Sequence, residues 1–314
     1  NLFSAVKPEQ WNLFRPASDA SYPWTAFALG YPVAAIAFFC TDQAMVQSVL
    51  GAKNLEQGQL GVSFIGWLKI LSIPLFIIPG IICFKLAPEI ANEPDIAYMT
   101  LVTKLFPAGL NGLVIVVMIA VLVGTIGSSL NALSTVFTTD IYIKKINPAA
   151  TTQQVIRTGR ITVIVGCVFA VITAIAVDNV RGLNLPDIFQ AVLGFIAPPL
   201  AVVFLLAVFW KRTTRLAVNT ILSAGSAFSL GVGVLYLWIF PKDQYNWPHY
   251  LLLSFYIFAV LFITAVIISL LDRKPVRATE IDMSLIPKTS KRVWRVWIAL
   301  IIIMTALYIF FNGF

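Results

Sequence analysis

Charged residues are scarce in this sequence. They make up 11% of its 314 residues, against about a quarter in soluble globular domains. With 59% of residues apolar, that deficit excludes an ordinary water-solvated domain and makes lipid the natural solvent. Histidine is almost missing: the single His249 sits at an outer helix entrance, where an interfacial role fits better than metal ligation or acid–base work. The three cysteines, Cys40, Cys83 and Cys167, all fall in apolar segments, without disulfide or metal spacing. The GxGxxG, Walker and HExxH patterns are absent. So are paired carboxylates and any triad set, which excludes the common enzyme classes. The sequence begins at Asn1 without Met and shows no signal peptide, so an N-terminal portion is expected to be missing.

What is present is a series of long apolar runs. Eight are long enough to cross a bilayer, which takes about 20 residues as helix. They lie near 24–50, 60–86, 108–140, 154–178, 186–208, 215–240, 248–271 and 293–312. Their Ile, Val, Leu and Phe show no period-2 alternation, which argues for helices and against a porin-like barrel. The expected fold is therefore an all-α membrane protein with about eight transmembrane helices.

The net charge of +8 is not a nucleic-acid footprint, because of where the cations lie. Lys53 follows the first run, and Lys144, Lys145, Arg157 and Arg160 follow the third. Lys211, Arg212 and Arg215 follow the fifth, and Arg273, Lys274, Arg277, Lys288, Lys291, Arg292 and Arg295 follow the seventh. The opposite loops hold Lys7, Arg15, Lys85, Lys104, Arg181 and Lys242, together with the acidic Glu89, Glu93 and Asp95. This alternation is the positive-inside pattern. It puts loops after odd-numbered runs in the cytoplasm and both chain ends outside, in a plasma (inner) membrane. The basic 272–292 linker is expected to attract anionic lipid.

Several polar residues interrupt the apolar runs. Cys40-Thr41-Asp42-Gln43 breaks the first. Either a discontinuous helix faces a transport site here, or the span ends and an amphipathic cytoplasmic helix follows. Lys69 lies deep in the second run. It either lines a cavity with a partner or snorkels to the interface. Pro74, Pro79 and Gly80 then bend or end that helix. IAYMTLVTKLF, before the third run, reads as a short amphipathic helix.

The third run carries Gly124, Thr125, Gly127, Ser128, Ser129, Asn131, Ser134 and Thr135. Small residues favour helix packing in membranes, which is the reading for Gly124 and Gly127. The adjacent hydroxyls of Ser128 and Ser129 suit a hard cation that wants oxygen ligands. Gln190, one turn into the fifth run, offers an amide to a polyhydroxylated ligand or to a neighbouring helix. Pro198-Pro199 in the same run frees backbone carbonyls that neighbours or a cavity must satisfy. The last three runs are blander and read as peripheral helices.

Three stretches resemble the sodium/solute symporters, in particular the sodium/glucose and sodium/galactose cotransporter branch. They are CTDQAMVQSVLGAKN at 40–54, SSLNALSTVFTTDIYIKK at 128–145 with the GRITVIVG run from Gly159, and IAPPLAVVFLLAVFWKR at 196–212. The resemblance covers most of 24–271. It implies a LeuT-type core of two inverted repeats, with solute and sodium near the midplane beside broken helices. It divides the chain into an outer loop at 1–23, the second inverted repeat at 24–208 and peripheral C-terminal helices at 209–314. The first repeat lies outside this sequence.

Residue by residue, the resemblance places Lys69 and Gln190 on the sugar. It gives Ser128 and Ser129 to sodium through their hydroxyls, and Thr125 through its carbonyl. Phe38 and Phe39 stand where the family usually has Tyr-Trp, so a ring face for the sugar is kept without the tyrosine hydroxyl. Ala35 replaces a frequent Asn or Thr. Asn131 and Ala132 stand where two-sodium members have hydroxyls, which implies one sodium ion. The expected function is sodium-coupled symport of a sugar or sugar-like polyol by alternating access. The partners are sodium, that small solute and the bilayer, with no nucleic acid. The rivals are symport of inositol, an amino acid or a carboxylate, and a membrane sensor or enzyme module.

Overall fold

The computed structural model describes residues 14–19, 22–86, 96–178, 180, 183–240, 245–272 and 287–312. Trp11 and most of the 1–23 loop, Lys7, Glu89, Glu93, Asp95, Arg181, Lys242, Arg273, Lys274 and Arg277 lie outside the described residues.

Twelve α-helices make up the described chain: α1 Trp24–Thr41, α2 Gln43–Leu50, α3 Leu55–Ser72, α4 Ile78–Leu86, α5 Ala97–Leu105, α6 Ala108–Val136, α7 Thr152–Asp178, α8 Leu185–Phe209, α9 Arg215–Thr220, α10 Ser226–Val234, α11 Tyr250–Leu271 and α12 Lys291–Asn312. No strand occurs among the described residues. Wider π-type turns join α3 to α4 at Ile73–Ile77 and α9 to α10 at Ile221–Gly225. Others extend α6 through Phe137–Ile146 and α10 through Leu235–Ile239. With these included, eight helical stretches among the described residues are long and apolar enough to cross a membrane. They match the eight apolar runs, and α5 is the short helix expected before the third.

The chain divides into two compact units, Asn1–Asp95 with Arg181–Phe314, and Ile96–Val180. In the first, α1, α8 and α11 pack together, and α10 packs on α8. Small residues set the spacing. A Cβ on Gly30 of α1 would lie 2.0 Å from the Leu251 carbonyl oxygen of α11, so the two backbones touch. Gly194 of α8 faces Ser254 of α11, and Gly233 faces the Phe195 ring. Ala34 and Ala37 of α1 share a buried cluster with Ala197 of α8.

These pairings fix helix direction. Tyr250 meets Asp187 and Ser254 meets Gly194, so α8 and α11 run the same way. Gly30 meets Leu251 and Ala37 meets Ala197, so α1 runs with them. Gly225 meets Leu261 while Gly233 meets Phe195, so the stretch through α10 runs the opposite way. Glu56 meets Ser290 and Gly66 meets Leu300, so α3 and α12 are parallel. In the second unit, Ser134 meets Gly159 and Leu133 meets Gly166, so α6 and α7 are antiparallel. Within each of these packed groups, spans of like parity run parallel and spans of unlike parity antiparallel.

The proline pair of α8 shows how a membrane helix tolerates its own break. Pro199 removes the N–H that would bond the Phe195 carbonyl four residues back. The Ser229 hydroxyl of α10 donates to that carbonyl at 2.5 Å. A neighbouring helix supplies what the proline withdrew.

Candidate transport site

Thr41 and Asp42 end α1. The Thr41 hydroxyl donates to the Ala37 carbonyl at 2.7 Å. Asp42 is extended, φ −70° and ψ 122°, and its carboxylate accepts from the Met45 N–H at 3.0 Å, the bond of an N-cap. The 18 residues of α1 measure about 27 Å, close to the ~30 Å of hydrocarbon in a bilayer. The polar run therefore lies at the end of a span, with the short α2 beyond it. The helix breaks at Asp42, as both readings of the sequence require. Phe38 is half-buried and Phe39 exposed, their rings edge-to-face at 5.1 Å and 88°.

Lys69 is the fifteenth residue of the 32-residue span Leu55–Leu86. Its side chain is exposed on α3 and makes no ion pair among the described residues. Its carbonyl accepts from the Ser72 hydroxyl at 2.6 Å, where the helix widens ahead of Pro74.

Gln190 is half-buried on α8. Its amide makes no hydrogen bond among the described residues, so two donors and an acceptor are open to a ligand. The helix start that positions it is built by Asn184, whose side chain accepts from the Asp187 N–H at 3.2 Å. Asp187, three residues before Gln190, accepts from the Tyr250 phenol at 3.0 Å. Closer to the N-terminus, Arg15 pairs with Asp19 at 3.1 Å, and Asp19 accepts from the Tyr22 N–H at 2.8 Å. Burial, and then the Asp187 carboxylate, push the Tyr22 phenol above its ordinary pKa. This cluster of Tyr22, Asp187 and Tyr250 was not anticipated. Its one sequence signal is the Asn184-Leu-Pro-Asp187 helix start, with Gln190 a turn further on.

By the helix pairings, Gln190 stands near the level of Gly30. Phe38 lies eight residues further along α1, about 12 Å deeper. The amide and the two rings therefore occupy different depths of the first unit.

The expected sodium ligands lie together on α6 of the second unit. The Ser129 hydroxyl donates to the Thr125 carbonyl at 3.1 Å, a local bond that leaves its oxygen lone pairs open to a cation. The Ser128 hydroxyl makes no hydrogen bond among the described residues, and all three residues are exposed. The expectation that Gly124 and Gly127 pack a helix is not met among the described residues. A Cβ on either would find no atom within 4 Å. The α6–α7 contact instead uses Leu130, Leu133 and Gly166, with the Ser134 hydroxyl donating to the Gly159 carbonyl at 3.2 Å. One turn of α6 thus exposes the Ser128 and Ser129 hydroxyls, while the Thr125 carbonyl is already held by the Ser129 hydroxyl within the helix.

The family model for the sodium:solute symporter family matches residues 1–218. The chain belongs to that family. It is 30% identical over 298 residues to the sodium/myo-inositol cotransporter of Homo sapiens, covering 86% of this chain and 41% of that protein. It is 34% identical over 222 residues to the sodium/myo-inositol cotransporter of Canis lupus familiaris, covering 66% of this chain and 31% of that one. It is 29% identical over 289 residues to sodium/myo-inositol cotransporter 2 of Sus scrofa, covering 84% and 43%. The chain spans less than half the length of these curated relatives.

Proposed function

We propose that the intact protein is a sodium-coupled symporter of a neutral, polyhydroxylated solute, with myo-inositol as its substrate. The observation that carries the reading is the open turn of α6. Thr125, Ser128 and Ser129 lie exposed within little more than one turn, and a Cβ at the nearby Gly124 or Gly127 would meet no atom within 4 Å among the described residues. In this reading these residues supply part of a sodium site, and the remaining oxygens come from elsewhere in the intact protein. The names of the relatives above support inositol over glucose. The chemistry of the site suits both, since each presents a ring of hydroxyls to one amide and one ammonium.

Sodium at the α6 turn favours the outward-open state, because that state holds the ion best. Solute then takes hydrogen bonds from Gln190 and from the Lys69 ammonium. Phe38 or Phe39 covers it from the inner side. Solute and ion leave on the cytoplasmic side, and no covalent chemistry occurs. Residues 24–208 act as the second repeat of a LeuT-type core and 209–314 as helices outside that repeat. The basic loops face the cytoplasm of a plasma membrane.

Uptake of labelled myo-inositol, glucose, galactose and proline into cells making the intact protein tests this. Inositol uptake that requires an inward sodium gradient is expected, with glucose and galactose carried less well. Sodium-dependent proline uptake without inositol uptake overturns the substrate. Uptake indifferent to replacing sodium by choline overturns the coupling.

A further inference from the structure

Between α2, α3 and α12 lies a groove of about 620 Å³ that the transport reading leaves without a role. Its walls are apolar: Val49, Leu50, Leu55, Val62, Trp294 and Trp297. The volume falls within the roughly 300–1,000 Å³ of ordinary ligand sites. We propose that one anionic phospholipid of the surrounding bilayer occupies it, an acyl chain between the three helices and the phosphate at the rim.

Three observations select this occupant. The first is depth. α3 and α12 are parallel and start at Leu55 and Lys291, so the groove opens where two spans leave the membrane together. The tryptophans agree, with Trp294 60% and Trp297 46% exposed. An indole there suits the headgroup boundary, polar edge outward and ring inward.

The second is charge. Lys53 sits between the lining residues Ala52 and Asn54. Lys288, Lys291, Arg292 and Arg295 neighbour the lining residues Thr289, Val293 and Trp294. All five cations are exposed. Glu56 is the one acidic residue on α2, α3 and α12, and its carboxylate already accepts from the Ser290 hydroxyl at 2.8 Å. The rim therefore attracts an anion, at a strength that falls about fivefold for each cation removed near a membrane surface.

The third is the pairing of that rim with an apolar interior. A free anion gains nothing from the groove walls, and a neutral lipid gains nothing from the cations. A phospholipid with a net negative headgroup uses both. Seated there, it braces α2 against α3, the helix that carries Lys69.

The test uses the intact protein, purified in neutral detergent. Native mass spectrometry and thermal unfolding are recorded with phosphatidylglycerol, with phosphatidylcholine of the same acyl chains, and with inorganic phosphate. Phosphatidylglycerol is expected to stay bound and raise the Tm, while the other two shift it little. Lys291→Gln with Arg292→Gln should lower phosphatidylglycerol retention about 25-fold. Val62→Trp, which fills the groove and keeps every cation, should abolish it. Leu55→Trp serves the same purpose if Val62→Trp does not fold. Equal retention of phosphatidylcholine overturns the proposal. So does an equal Tm shift from phosphate alone, or undiminished retention in a folded groove-filled variant.

Discussion

The Ser229 hydroxyl donates to the Phe195 carbonyl that Pro199 leaves without a helical donor. Both residues are buried, Ser229 at 0% exposure and Phe195 at 2%. Ser229→Ala should therefore destabilise the protein by about 1–3 kcal/mol, the cost of an orphaned buried acceptor. In a Pro199→Ala background the new N–H can take the carbonyl back, and the same substitution should cost much less. A double-mutant cycle by thermal unfolding reads the difference. Equal costs in both backgrounds would mean the hydroxyl is not a substitute for the missing amide.

Gly30 and Gly61 should respond oppositely to alanine. A Cβ on Gly30 meets the Leu251 carbonyl oxygen at 2.0 Å and its carbon at 2.4 Å, both backbone atoms that cannot swing aside. Gly30→Ala should cost about 3 kcal/mol or more. Gly61, inside α3, has no atom within 4 Å of its Cβ position. Gly61→Ala should be neutral or gain up to about 1 kcal/mol from helix propensity. Unfolding temperatures of the two variants, measured side by side, decide it.

Gln190→Ala should raise the half-saturating solute concentration while leaving sodium activation at saturating solute close to wild type. The amide makes no hydrogen bond among the described residues, so its removal takes a partner from the ligand, not from the fold. Losing one hydrogen bond in a desolvated site costs about 1–3 kcal/mol, roughly a 5- to 150-fold rise. Unchanged half-saturation for every transported solute would return Gln190 to a packing role.

Ser128→Ala and Ser129→Ala should each raise the sodium concentration needed for uptake. Asn131→Ala should shift it little if one ion is carried. Solute and ion sites are linked, so the serine variants should also lose solute affinity at fixed sodium. Saturating sodium should restore most of it. Uptake measured against sodium concentration in the intact protein is the readout. Sodium curves that overlay wild type would assign both hydroxyls to the surface of α6 alone.

The eight spans were legible because their signal is one-dimensional, an apolar length long enough to cross a membrane. What the sequence could not reveal depends on neighbours. Pro198-Pro199 announced freed carbonyls, but nothing in IAPPL pointed to Ser229, 34 residues beyond Phe195 on the next span. The CTDQ run announced a break. Its position in the chain followed only once α1 was seen to end at Thr41 with Asp42 capping α2. Gly124 and Gly127 looked like packing residues because small residues usually are, yet the α6–α7 contact uses Gly166 and two leucines. Asp187 passed unnoticed because a carboxylate in a helix's first turn is ordinary. Its phenol partner, Tyr250, is 63 residues away.

The backbone contact between Gly30 and Leu251 also has a mechanical meaning. Side chains elsewhere can deform, but two main chains in touch cannot, so this is the stiffest point between α1 and α11 and the natural fulcrum for any tilt between them. Phe38 hangs about 12 Å below it on the same rod. A rotation of about 10° there sweeps that ring by about 2 Å, while Trp24, on the shorter arm, moves about three quarters as far in the opposite sense.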